Sequence, residues 1–176
     1  MWVLLLIFTL LIEQIFEAVN KADEYEIDIK NFIVIKIDAF GDCFYCALSK
    51  YFEYNQNNHL LCRHKIFEFI KLHKEKFNIF FEGNVDENDN LIDKNILLDE
   101  YINNNNMAGK YAGDIEISAF VLLYNCKLIV FEKGFKYLNV LNVYFNNDKD
   151  PKEINNVIYL LYDRMLKHYS FKNKRK

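Results

Sequence analysis

The stretch from Ala39 to Phe52 reads AFGDCFYCALSKYF and sets a thiol, Cys43, directly after a Gly-Asp pair and directly before an apolar run. A cysteine in the first turn of a helix feels the positive end of the helix dipole, which favours the thiolate, the nucleophilic form. Gly41 lets the backbone turn sharply and come close to a substrate, and the amides of residues 41–43 are placed to face a developing oxyanion. Such a thiol also needs an imidazole base, which is often distant in sequence and near in space. Of the four histidines, His59, His64 and His73 fall on or beside a helix with a solvated face, whereas His168 follows the last apolar strand and is the candidate base. Against this stands the plainer reading that a buried cysteine is a small hydrophobe and no more.

Composition narrows the alternatives. The chain has 176 residues, 52% hydrophobic and 27% charged, which suits one packed domain. A net charge of -3 and a pI near 5.8 argue against a nucleic-acid surface, which needs clustered Lys and Arg. The four cysteines (Cys43, Cys46, Cys62, Cys126) form no close-spaced framework, and no Asn-X-Ser/Thr acceptor occurs, so free thiols are expected. Cys62 and His64 lack a second ligand pair at finger-like spacing, so neither a metal nor any other cofactor is expected.

The elements that must position Cys43 and His168 can be read from periodicity. Residues 1–12, MWVLLLIFTLLI, are apolar but too few for the ~20 that span a bilayer. They lack the basic start and small-residue cleavage site of a signal peptide, while residues 1–16 also fit an amphipathic helix. A docked or membrane-surface helix and a targeting segment both stay open for residues 1–22, with a cytoplasmic location expected and membrane association through residues 1–16 as its variant. FIVIKI (32–37) reads as a buried strand. Cys43–Tyr54 reads as a helix with Phe44, Ala47, Leu48 and Tyr51 inward, and 59–76 as a second helix burying Leu60, Ile66, Phe67 and Ile70. A polar loop (82–95), a short helical piece (ILLDEYI) and a helix over 113–125 capped by Asp114, with Glu116 in its first turn, come next. Strands over 127–133, 137–145 and 157–163 close the domain, and the basic run 172–176 is read as a solvated tail.

Taken together, these segments carry a pattern. GDCFYCAL (41–48) resembles the nucleophile motif of the ovarian-tumour (OTU) family of cysteine proteases, and three further blocks are similar to that family in the same order. HLLCRHKIFEFI (59–70) resembles its helix with an internal arginine, YAGDIEISAF (111–120) its aromatic-Gly-Gly-X-X-Glu segment, and VIYLLYDRMLKHYS (157–170) its terminal strand and His-aromatic motif. The resemblance implies an α+β, papain-like fold over residues 32–171, with a central β-sheet sandwiched between helices. It also implies thiol isopeptidase activity after the C-terminal glycine of ubiquitin, with ubiquitin or polyubiquitin as partner.

By that resemblance Cys43 is the nucleophile, His168 the general base, and Tyr111 and Gly113 line the groove for the ubiquitin tail, while Glu116 either attracts a basic tail or serves the helix start. Two positions depart from the family: Phe40 stands where an Asp is usual, and Ser170 where many members place the Asp or Asn that orients the histidine. Asp38 or Asp42 is expected to replace the first, and Ser170, Asn173 or a loop residue to hold the imidazole. Two other activities fit the same residues: a catalytically impaired ubiquitin-binding module, and a thiol protease for another ubiquitin-like modifier.

Overall fold

The computed structural model describes residues 32–35, 37, 41–53, 58–133, 138–146, 149, 154 and 156–174. The expectations for residues 1–22 lie outside these, as do Asp38 and Phe40. Among the described residues no helix is long and apolar enough to cross a membrane.

The β-branched run Phe32–Ile35 forms β1. Helix α1 is Cys43–Glu53, α2 is His59–Leu72, and a single turn, α3, is Lys74–Phe77. A 3-10 turn (Asn78–Phe81) leads through an exposed loop to α4 (Lys94–Asn105), whose N-cap Asp93 accepts the amide of Asn95 at 2.8 Å. Helix α5 is Asp114–Tyr124. Strands β2 (Lys127–Lys133), β3 (Leu138–Tyr144), β4 (Val157–Asp163) and β5 (His168–Lys174) complete the domain. The strands form one sheet in the order β1-β5-β4-β2-β3, with β2 and β4 parallel and the other neighbours antiparallel.

One core joins the helices to the sheet. Phe44, Ala47 and Leu48 of α1, Ile66, Phe67 and Ile70 of α2, and Ile117 and Phe120 of α5 pack with Leu128, Val130, Ile158 and Leu160 on one sheet face. Alternation along β2 sends Phe131 to the other face, where Ile129, Val140, Tyr159 and Leu161 surround it. Removing this much apolar surface from water is the main stabilising term of the domain.

The sequence reading needs four corrections. The second helix breaks at His73, whose N–H is shared between the carbonyls of Phe69 and Ile70 at 3.1 and 3.3 Å; beyond the break, Phe77 is buried. Leu60 is 51% exposed, because the inward stripe of α2 is Cys62, Arg63, Ile66, Phe67 and Ile70. Helix α5 is capped by Gly113, and Asp114 is its first helical residue. The basic run does not begin as a free tail, since 172–174 continue β5 and pair with β1 in the register Ile33↔Asn173.

Candidate active site

Gly41 creates the turn that delivers Cys43. Its φ of +77° is a left-handed conformation that only glycine adopts without penalty, and a Cβ at this position would lie 2.0 Å from the carbonyl oxygen of Gly109. Asp42 follows, its carbonyl accepting the Cys46 amide at 2.9 Å, and Cys43 opens α1. The thiol is 2% exposed, and its Sγ accepts the backbone N–H of Tyr169 at 3.4 Å. The Tyr169 ring meets Phe44 edge-on at 5.6 Å, so the residue after the thiol fixes the residue that contacts the thiol. His168, next to Tyr169, is the first residue of β5 and pairs with Asp163. The fold thus joins the two stretches that the sequence reading paired.

The electrostatics differ from expectation. The helix start was expected to favour the thiolate, but burial outweighs it and pushes the Cys43 thiol above its ordinary value, the amides of Tyr169, Phe44 and Cys43 pulling the other way and Asp42 adding to the rise. The sign gives a test. With the thiolate penalised by burial, the thiol form persists to higher pH, whereas an imidazolium beside Sγ would stabilise the thiolate and lower the midpoint. In a His168→Ala variant, alkylation of Cys43 by iodoacetamide should titrate above the usual ~8.5, and the intact protein should titrate lower. Equal midpoints would place His168 away from the thiol.

The remaining candidates divide. Asp42 is buried, with Oδ1 taken by Arg63 at 2.6 Å and Oδ2 accepting the Gly109 N–H at 2.7 Å, so its carboxylate braces the turn before Cys43. Ser170 is half-buried in β5 opposite Leu161, and Asn173 contributes backbone to the same strand. Tyr111 is 58% exposed on the connection between α4 and α5. Gly113 is exposed too, but its N–H points to Glu116 Oε2 at 2.8 Å, and a Cβ there would make only ordinary contacts.

Glu116 is fully buried, its oxygens held by Gly113 and by the Tyr101 hydroxyl at 2.7 Å. Of its two expected roles, attraction of a substrate tail is therefore overturned, and support of the helix start remains. The exposed acid at this end of α5 is Asp114, which accepts the Tyr144 hydroxyl at 2.6 Å. Sequence reasoning noted the internal arginine of 59–70 but gave Arg63 no role beside Cys43, and it missed the Tyr169 amide. An arginine between Cys62 and Ile66 on an inward stripe was the available signal for the first, and a backbone donor leaves none.

Among the described residues no group of three or more His, Cys, Asp or Glu side chains could hold a metal ion. Residues 38–169 match the family described as OTU-like cysteine protease. No curated protein matches. The chain is similar in structure to the OTUD1 OTU domain, at 22% identity and a TM-score of 0.66 over 89% of this chain and 94% of that one. It is also similar to the Hazara virus OTU bound to ubiquitin (15%, TM-score 0.58, 82% of each chain). An OTU deubiquitinase from Wolbachia pipientis wMel bound to ubiquitin matches at 17% and a TM-score of 0.54, over 83% of this chain and 98% of that one.

Proposed function

Because the chain belongs to the OTU-like cysteine protease family, we propose that it is a deubiquitinase that hydrolyses the isopeptide bond after the C-terminal glycine of ubiquitin. The observation that carries this reading is the contact between Cys43 Sγ and the Tyr169 amide, which brings the nucleophile helix against the strand that His168 opens. Similarity to two OTU domains bound to ubiquitin supports the choice of substrate.

In this reading His168 takes the thiol proton and Cys43 Sγ attacks the carbonyl carbon of the terminal glycine. The negative charge passes to the carbonyl oxygen, which the backbone amides of the turn at 41–43 receive. Collapse breaks the C–N bond, and the imidazolium gives its proton to the departing lysine amine. Water, deprotonated by the same imidazole, then cleaves the thioester and frees the ubiquitin carboxylate and the thiol. Ser170, two residues along β5, is the candidate to hold the imidazole in place of the usual acid.

A ubiquitin probe with a C-terminal thiol-reactive group tests the proposal. The expected result is one covalent adduct, absent in Cys43→Ala and unchanged in Cys46→Ala. Labelling that survives Cys43→Ala removes Cys43 from the role. A second reading, a ubiquitin-binding module with impaired chemistry, is favoured by the burial of Cys43 and its raised pKa. It predicts ubiquitin binding with no adduct.

A further inference from the structure

Arg63 is an interior cation, 2% exposed, with every arm engaged. Its Nε and Nη2 donate to Asp42 Oδ1 at 3.1 and 2.6 Å, Nη1 donates to the Asn105 carbonyl at 2.7 Å, and Nη2 donates also to the Lys110 carbonyl. The guanidinium carbon lies 3.9 Å above the centre of the Tyr45 ring, on the helix that Cys43 begins. Asp42 extends the same link to Gly109 through Oδ2, and Gly41 rests on the Gly109 carbonyl. At the far end of the connection, Glu116 holds the Gly113 amide. The 106–113 segment is therefore fastened from inside by buried charges, while Tyr111 remains outside.

We propose that Arg63 and Asp42 are positioning residues that hold the 106–113 segment and the turn at 41–43 as one body, fixing the oxyanion amides relative to the surface carrying Tyr111. This deepens the deubiquitinase reading and rests on it. The planar fork of arginine is what the arrangement uses: it meets a carboxylate and two carbonyls in divergent directions while its face lies on an aromatic ring. A lysine keeps the charge and cannot make those contacts together. A displacement of about 1 Å between bound substrate and oxyanion donors is enough to lower turnover by roughly 100-fold, and it would leave the thiol's intrinsic reactivity untouched.

The test compares the full chain with Arg63→Lys and Asp42→Asn by three measurements: backbone amide hydrogen exchange, steady-state cleavage of a fluorogenic ubiquitin substrate, and iodoacetamide alkylation of Cys43. In Arg63→Lys, exchange should rise together in 41–46 and 105–113 with α5 unchanged, kcat should fall roughly 10- to 100-fold, and KM and the alkylation rate should hold within about threefold. Asp42→Asn offers one oxygen to two donors, so either Arg63 or the Gly109 amide loses its acceptor, and kcat and exchange should change at least as much as in Arg63→Lys. Exchange that rises in 105–113 alone, or a kcat that falls only with the folded fraction, overturns the proposal. An intact protein that cleaves no ubiquitin substrate defeats the deubiquitinase reading instead, and the exchange data then still decide whether the two segments move together.

Discussion

Alanine at position 41 is expected to cost the protein more than ~3 kcal/mol and to abolish turnover. The φ of +77° alone penalises a Cβ by about 1–2 kcal/mol. The larger part is steric, because the new methyl would sit 2.0 Å from the Gly109 carbonyl oxygen, a backbone atom that can yield only if the loop moves. That loop is held by Asp42 and Arg63, so the strain cannot be relieved locally. On a domain whose total stability is on the order of 5–15 kcal/mol, the loss should lower Tm by roughly 6–12 °C or more. Thermal unfolding followed by circular dichroism checks it. A Gly41→Ala protein with unchanged Tm and activity would show that the turn does not rest against Gly109.

Phe44→Ala should be as damaging for a different reason. The ring is fully buried and meets Tyr45, Phe120 and Tyr169 edge-on at 5.4, 6.1 and 5.6 Å. Truncating a buried Phe costs about 3–5 kcal/mol through lost transfer energy and the cavity left behind, and edge-on aromatic pairs add to that. Here the cavity opens beneath both halves of the site, since Phe44 follows the thiol and supports the residue whose amide contacts it. Chemical denaturation should show the stability loss, and the ubiquitin probe should label the still-folded fraction more slowly. Phe44→Leu, which keeps most of the volume, should recover much of both.

What the sequence made legible was whatever had a local cause. The runs KLIVFEK and VIYLLYD fold as strands with the bounds their patterns indicate, and Phe44, Ala47 and Leu48 face inward as their helical spacing requires. HYSFKNK has no such pattern. It becomes a strand because β1 and β4 flank it, one drawn from each end of the described domain. The break at His73 likewise has no breaker residue to announce it. Charge was the other blind spot. Arg63 and Glu116 carry side chains normally read as surface, yet both are buried because their partners, Asp42 and the carbonyls of Asn105 and Lys110 for one, Tyr101 and Gly113 for the other, arrive through the tertiary fold. Cys43 combines the two cases: its helix-start position is local, and the burial that raises its pKa comes from elements distant in the chain.

The contact between Cys43 and Tyr169 spans 126 residues, and β1 closes onto β5 over a similar interval. Pairings that distant incur their loop-closure entropy before any contact compensates it, so they form late and slow folding. During synthesis, at roughly 5–20 residues per second, the thiol leaves the ribosome well before the strand that completes its surroundings. A nascent chain that has reached only α5 carries Cys43 and its brace without the histidine or the Tyr169 amide. In the proposed reading, the hydrolytic site is therefore incomplete until β5 has emerged and docked, a delay written into strand order alone.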